Sequence, residues 1–406
     1  MLAALAWRNL WRRPQRTLLS LLSVTLVSGL LVFVLSFQDG VYGQMKQTTL
    51  RIFDGYAELQ ASGYADDPTL DHAIAAPDEL ARQAQAVPGV SVAAPRVNGF
   101  AILANGARSY AAVVVGVDPA REARISSIAT TIRDGRYLTP SDTDAAVLGD
   151  LLAKNLGVRV GDKVTVLGSA RDGSVAADVL TVAGIYHSGI PDLDRTILEM
   201  PLARAQATFQ MQDAANTIAL GGPSLAAVNH ALPGLDALAR RSGVTLMDWR
   251  ALEPAMRAAI DLKYAASMLF YVSLVLVVAF IILNTLLMSV LERTREFGTL
   301  LALGMRPGQI GAMVWIELIA LALIGCATGI AIGGAATLWL QATGIVFPID
   351  PKLLAQFGVP SRLYPNLSLM SALAGPGALV AAIAIGGLLP FARVLRLTPA
   401  LAMRGG

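Results

Sequence analysis

Cysteine is nearly absent: Cys326 stands alone in 406 residues, so no intrachain disulfide can staple the fold. Histidine is almost as scarce, and His72, His187 and His230 lie far apart without the spacing of a metal-ligand set. No Walker A sequence occurs. GVRVGDK at residues 157–163 lacks the spacing of a phosphate loop and the Ser or Thr that should follow the Lys. Asp192 and Asp194, in GIPDLDR, lack the ligand number and spacing of a calcium loop. Charge is sparse, at 15% of residues with a net +3, too little to imply a nucleic-acid partner. With no nucleophile–base or metal pair, a stand-alone membrane enzyme is the least favoured reading. Any nucleotide energy has to come from another chain.

What the chain has instead is hydrophobic length. Apolar residues make up 54%, and the mean hydropathy is +0.56. Four runs reach the roughly 20 residues that a spanning helix needs, within residues 17–38, 263–291, 310–341 and 367–391. The third holds Cys326, read as a small buried hydrophobe, and one acid, Glu317. A carboxylate there needs a partner such as Arg306, or else marks an element coupling a loop to the span. Before the first run, Arg8, Arg12 and Arg16 recur on one helical face and Ala3, Ala6, Trp7 and Leu10 on another. Residues 1–16 therefore read as an amphipathic helix among anionic lipids on the cytoplasmic side. A cleavable signal peptide is disfavoured, because the run is long and no small-x-small site follows it.

Residues 39–262 change character, with turn pairs separating short β-rich strings. Strands are expected at 56–60, 91–97, 111–117, 163–167, 180–185, 196–200, 217–220 and 244–247. Helices are expected at 77–86, 151–156, 202–209 and 225–241. The order suggests an α+β core (39–118 and 212–249) carrying an inserted small β subdomain (119–211), followed by a stalk (250–262). The predicted fold class is thus an α-helical membrane protein with four transmembrane helices and a large α+β domain between the first and second. Basic residues before the first run, between the second and third, and in the tail 392–406 put both termini in the cytoplasm. The large domain and the loop 342–366 then lie outside.

Between the second and third runs sits VLERTREFGTLLALGMRPGQ, residues 290–309. Charges at Glu292, Arg293, Arg295 and Glu296 alternate with Val290, Thr294, Phe297 and Leu301 at helical spacing, which describes a short amphipathic helix. Gly304 is placed to end it in a left-handed turn before Pro307. A solvated loop that only fixes topology is the plain alternative.

The order of spans, large domain and charged inner helix resembles the permease subunits of MacB-like and FtsX-like (type VII, mechanotransmission) ABC transporters. AWRNLWRRPQRTLLS, LLAKNLGVRVGDKVTV, ERTREFGTLLALGMRPGQI and RLTPALAMR look like that family's signatures. FQDGVYGQM and LTVAGIYHSGIPDLDRTILEM look closest to the lipoprotein-releasing LolC/LolE transmembrane subunits. The resemblance implies a dimer with a second permease and two copies of a cytoplasmic ABC ATPase, which would bind ATP and Mg; this chain itself would bind no cofactor. It implies that residues 292–309 form the coupling helix, contacting the ATPase through Glu292, Arg293, Thr294, Arg295, Glu296, Phe297, Gly298 and Leu301. Glu317 would couple that helix to the span. Membrane lipids, a periplasmic carrier or adaptor, and a lipoprotein or lipid-like cargo are the further expected partners. A hydrophobic cargo cavity is expected at Leu26, Leu30, Phe33, Phe37, Met268, Tyr271 and Leu274. The alternatives are a macrolide-exporter type of efflux permease and a signalling permease that controls a cell-wall hydrolase. The expected location is the bacterial inner membrane.

Overall fold

The structure is a computed structural model that describes residues 7, 8, 11, 12, 14–346, 348 and 362–395. Most of the expected amphipathic helix 1–16, part of the loop 342–366 and the tail from residue 396 lie outside the described residues. The described residues form two compact units. One takes the residues up to Gly43, those from Ala259 to residue 348, and those from Arg362; the other is Gln44–Ala258.

The elements are, in chain order, α1 (Pro14–Ile52), β1 (Ala57–Ala61), β2 (Ile74–Ala75), α2 (Pro77–Gln85), β3 (Val92–Asn105), β4 (Arg108–Val117) and α3 (Pro119–Ile125). There follow β5 (Ile132–Gly135), β6 (Ala145–Gly149), α4 (Asp150–Leu156), β7 (Lys163–Ser169), β8 (Val175–Tyr186), α5 (Pro191–Thr196), β9 (Ile197–Pro201) and α6 (Leu202–Thr208). Then come β10 (Ala214–Ala215), β11 (Thr217–Gly221), α7 (Leu225–Ser242), β12 (Val244–Asp248), α8 (Trp249–Leu252) and α9 (Pro254–Glu292). The chain closes with α10 (Thr294–Ala302), α11 (Pro307–Thr343), β13 (Ile345–Val346), β14 (Arg362–Leu363), α12 (Leu369–Gly386) and α13 (Leu388–Leu395).

Four helical stretches, Thr17–Ile52, Pro254–Glu292, Pro307–Thr343 and Leu369–Ala392, are long and apolar enough to cross a membrane. The first two outrun their apolar cores. Helix α1 has 39 residues, about 58 Å at 1.5 Å per residue, against a hydrocarbon thickness of roughly 30 Å. Residues 38–52 contain no proline, and the helix runs through Gly40 and Gly43 to stop where Gly55, at φ 81°, turns its N–H back to the Leu50 carbonyl at 2.8 Å. Pro254 opens α9, where its missing N–H costs nothing.

Helix α1 packs on α11 through small residues. Gly329 and Gly333 face Gly29 so closely that a Cβ on Gly333 would lie 2.6 Å from the Gly29 carbonyl oxygen. Thr25 and Thr328 hydroxyls pair across the same seam at 2.7 Å, and the Ser28 hydroxyl donates to the Cys326 carbonyl at 3.3 Å. In lipid, where apolar side chains gain little by leaving one surface for another, such close backbone approach and polar bonding hold helices together. The bundle core gathers Val24, Leu31, Val278, Ile282, Leu318, Leu379 and Ile383.

In the second unit β12, β1, β11 and the first half of β3 make an antiparallel sheet, and β3, β4, β9, β6, β8 and β7 close a six-stranded ring, because β7 pairs with both β8 and β3. Strand β3 belongs to both. Its second half alternates Val97, Ala101 and Leu103 inward with Phe100 and Ile102 outward, the period-2 pattern of a barrel wall. The ring therefore takes in β4, and α3 packs back on β3 and β11 of the sheet. This corrects the expected insert at residues 119–211: a 14-residue strand shared by two layers gives no sequence break where the layers part. Strands β5 and β6 were not foreseen; β6, AAVLG, is buried throughout and so shows no alternation.

Gly333→Leu should force α1 and α11 apart. An overpacking cost of about 1–3 kcal/mol is expected, read as a lower unfolding temperature of the detergent-solubilised protein, whereas Gly377→Leu, with open space around it, should leave that temperature unchanged.

Candidate functional site

Helix α9 ends at Glu292 and α10 begins at Thr294, so Arg293 is the one residue between them. Its backbone keeps the ladder, accepting from the Phe297 N–H at 3.0 Å and donating to Ser289 at 3.2 Å. The side chain turns inward. It is 12% exposed and lies 3.4 Å from Glu317 of α11, itself 14% exposed. It also lies 3.4 Å from Glu296 and 5.5 Å from the Phe297 ring, a cation–π distance. Phe297 is buried against Val290, Ile310, Met313, Val314 and Val394, with Leu301 beside it. The helix ends as the sequence predicts, with Gly304 at φ 94°.

Of the eight residues expected to face an ATPase, the structure splits the set. Glu292, Arg295 and Glu296 are exposed, while Phe297 and Gly298 are buried and Arg293, Thr294 and Leu301 are partly so. Glu317 meets Arg293 and not Arg306 as its partner. The outward face adds Thr299 and Leu303, the latter 83% exposed, which the sequence reading missed. Leucine exposed beyond a charged ridge is the signal that could have found it. At the same end Arg12 lies 3.4 Å from Glu296 with both groups exposed, a contact worth little by itself.

An apolar cleft of about 1050 Å³ opens among α1, α9 and α12. Met268 and Tyr271 line it, with Leu31, Leu35, Val272, Leu276 and Phe280. Leu26 and Leu30 lie on another strip of α1, 70% and 46% exposed. Phe33 and Phe37 stack on each other at 6.0 Å, and Leu274 packs into the bundle. A periodicity argument finds the apolar strip but not the neighbour it meets. The third wall, Ala374, Gly375, Ala378 and Ala382 of α12, was not anticipated; its small residues leave the room. Where the apolar part of α1 ends, Gln38 accepts from Tyr271 at 2.6 Å and donates to Ser267 at 3.1 Å.

Outside the membrane helices, the scattered polar residues also gather. His187 Nδ1 lies 2.8 Å from Asp150 and 3.2 Å from Asp194. Asp194 is buried and also accepts from the Ser188 N–H and hydroxyl, and Arg133 lies 3.5 Å from Asp150. Asp150 Oδ1 is buried and has no hydrogen-bond partner among the described residues, and ligand atoms of Asp150, His187 and Asp194 lie within 4.8 Å of one another, close enough to hold a metal ion. A second cluster surrounds Arg96, 1% exposed in β3. Its guanidinium donates twice to Glu122, at 3.0 and 2.6 Å, and once to the Phe53 carbonyl at 2.6 Å, and lies 3.5 Å from Glu58. An Arg inside an otherwise apolar strand string, AAPRV, was the available signal for it.

Residues 17–233 match the MacB-like periplasmic core domain, and residues 268–399 match the FtsX-like permease C-terminal domain. The chain belongs to the MacB/FtsX-like permease family. Over 407 residues the permease is 25% identical to the lipoprotein-releasing system transmembrane protein LolC of Neisseria meningitidis serogroup B, covering 96% of this chain and 94% of that one. LolE of Haemophilus influenzae is 26% identical over 98% of this chain and 97% of its own. The pyoverdine export ATP-binding/permease protein PvdT of Pseudomonas aeruginosa is 23% identical over 80% of this chain and 50% of its own length. The permease is the membrane subunit of an ABC transporter of the MacB, FtsX and LolC/LolE type, an inner-membrane protein with a periplasmic domain.

Breaking the Arg293–Glu317 pair from one side leaves a largely covered charge without its partner on the neighbouring helix, which is destabilising. Arg293→Glu should therefore lower the yield of folded, ATPase-stimulating protein, and adding Glu317→Arg should restore most of it. Failure of the exchange to restore anything would mean that the pair is not what holds the helix.

Proposed function

We propose that the permease works as the transmembrane half of a lipoprotein-releasing transporter. Two such subunits, alike or different, pair in the inner membrane with both termini in the cytoplasm, and two copies of a separate ATPase supply ATP and Mg. The observation that carries this reading is the likeness to LolC and LolE along nearly the whole of each chain. The exporter type is less favoured, because the PvdT likeness covers half of that protein.

In this account the ATPase docks on the outward face of α10, through Glu292, Arg295, Glu296, Thr299 and Leu303. Arg293 is turned inward and serves as the post that fixes the docked helix to α11 by way of Glu317. Closure of the ATPases then moves α10, α9 and α11 as one, and α9 carries the motion towards the periplasmic side. The acyl chains of a lipoprotein enter the cleft among α1, α9 and α12 from the outer leaflet. Each methylene buried there contributes about 0.8 kcal/mol, so displacement needs the ATPase. A periplasmic carrier takes the released protein.

Arg295→Glu combined with Leu303→Glu should abolish co-purification of the ATPase while leaving expression and unfolding temperature close to wild type. Undiminished complex formation would remove α10 as the dock. For the cargo, native-membrane purification followed by mass spectrometry should find triacylated lipoproteins with the wild-type complex and several-fold less with Val272→Arg, which puts a charge on the cleft wall. A drug or siderophore in their place would favour the exporter reading.

A further inference from the structure

The acid cluster around Arg96 has no part in docking or cargo binding, and its composition is unbalanced. Glu122 alone is matched to the guanidinium in a two-pronged pair. Glu58 stands 3.5 Å off and accepts from Gln60 at 2.9 Å. Glu199 of β9 is fully buried; its Oε2 accepts from the Tyr137 hydroxyl at 2.8 Å and its Oε1 has no partner, as is true of Gln60 Oε1. A buried carboxylate oxygen without a donor is costly, whereas a protonated carboxyl tolerates the site. Asp54 completes the cluster and shares a hydrogen bond with Glu253. Two carboxyls can bond only through a proton held between them. Burial pushes Glu58 and Glu253 up to about 7 and Glu199 up to about 8, and raises Asp54 as well.

The position of the shared proton matters. Asp54 follows the end of α1 at Ile52 by two residues, and Glu253 immediately precedes the start of α9 at Pro254. The other charged groups nearby include Arg51 at the end of α1, beside Tyr56, Lys46 over the Trp249 ring at 5.1 Å, Arg250, which lies over the same ring and 3.1 Å from Asp248, and Arg257, whose N–H donates to the Glu253 carbonyl at 3.0 Å. Arg96 is the cation that acts on Asp54, and burial outweighs it.

We propose that the acid cluster of Asp54, Glu253, Glu58 and Glu199 around Arg96 is a proton-binding site that sets the spacing of the α1 and α9 ends. With its protons bound, Asp54 and Glu253 tie the two ends together. With them released, the two carboxylates repel and the ends part. Because the acids hold their protons more tightly in the tied state than in water, low pH favours that state and a rise through about pH 7 to 8 weakens it. External pH thereby biases the stroke, whatever cargo is moved.

The test uses the full-length protein in lipid nanodiscs, with Cys326→Ser and spin labels at Arg51→Cys and Arg250→Cys, both exposed positions. Pulsed electron resonance should give one short distance at about pH 5.5 and a longer population that grows by up to about tenfold per pH unit around neutrality. Asp54→Asn with Glu253→Gln, whose amides bond without charge, should hold the short distance at every pH. A distance that ignores pH, or a pH response that survives in the double variant, overturns the proposal. Should the double variant not fold, wild-type unfolding temperature and Glu253→Gln alone decide: stability falling as pH rises from about 4.5 to about 8, less steeply in the variant, supports the site, and a flat profile or parallel profiles overturn it.

Discussion

A guanidinium turned in from water costs free energy unless an opposite charge meets it, and Arg293, 12% exposed, is so placed. It occupies the single position between a 39-residue membrane helix and the short helix that follows. Its partner, Glu317, sits on the next membrane helix. The bond therefore ties three helices at one point, and the break between α9 and α10 becomes a fixed corner. Phe297, buried beneath the guanidinium, closes the corner from the other side. Everything proposed for this end of the protein follows from that geometry: an inward face that cannot serve as a contact, an outward face that can, and a rigid link between them.

The second unit solves a like problem differently. Arg96 is also buried and also paired, yet more carboxyls surround it than one cation can match. The excess is absorbed by protons, which makes the region near the α1 and α9 ends responsive to pH in a way that the Arg293 corner is not. The bundle of the first unit is held by close glycine contacts and hydroxyl pairs, and Ala and Gly of α12 leave room there for a cleft.

Much of this was legible in the sequence, for physical reasons. The apolar runs show the spans because a bilayer sets their length, and strand and helix positions in the second unit follow from turn residues and periodicity. The Gly304 turn was readable because few other residues adopt φ 94°. Facing was not readable. The period that places Arg293, Arg295 and Glu296 on one short helix does not say which of them turns inward; that is decided by Glu317, 24 residues away. The strip of Leu26, Leu30, Phe33 and Phe37 was found as an apolar strip, but the neighbouring Leu31 and Leu35 meet the cleft. The barrel boundary was hidden inside β3, and the acid pair joins residues 54 and 253, which no local pattern connects.

The central claim is that motion imposed on α10 is transmitted through the Arg293 corner to the far ends of the long helices. Hydrogen exchange on the complete transporter in nanodiscs, with and without ATP and vanadate, measures both ends at once. The account predicts that trapping slows exchange in residues 294–303 and changes it in residues 44–54 and 249–258 together. Protection of residues 294–303 with no change in the other two segments would contradict it.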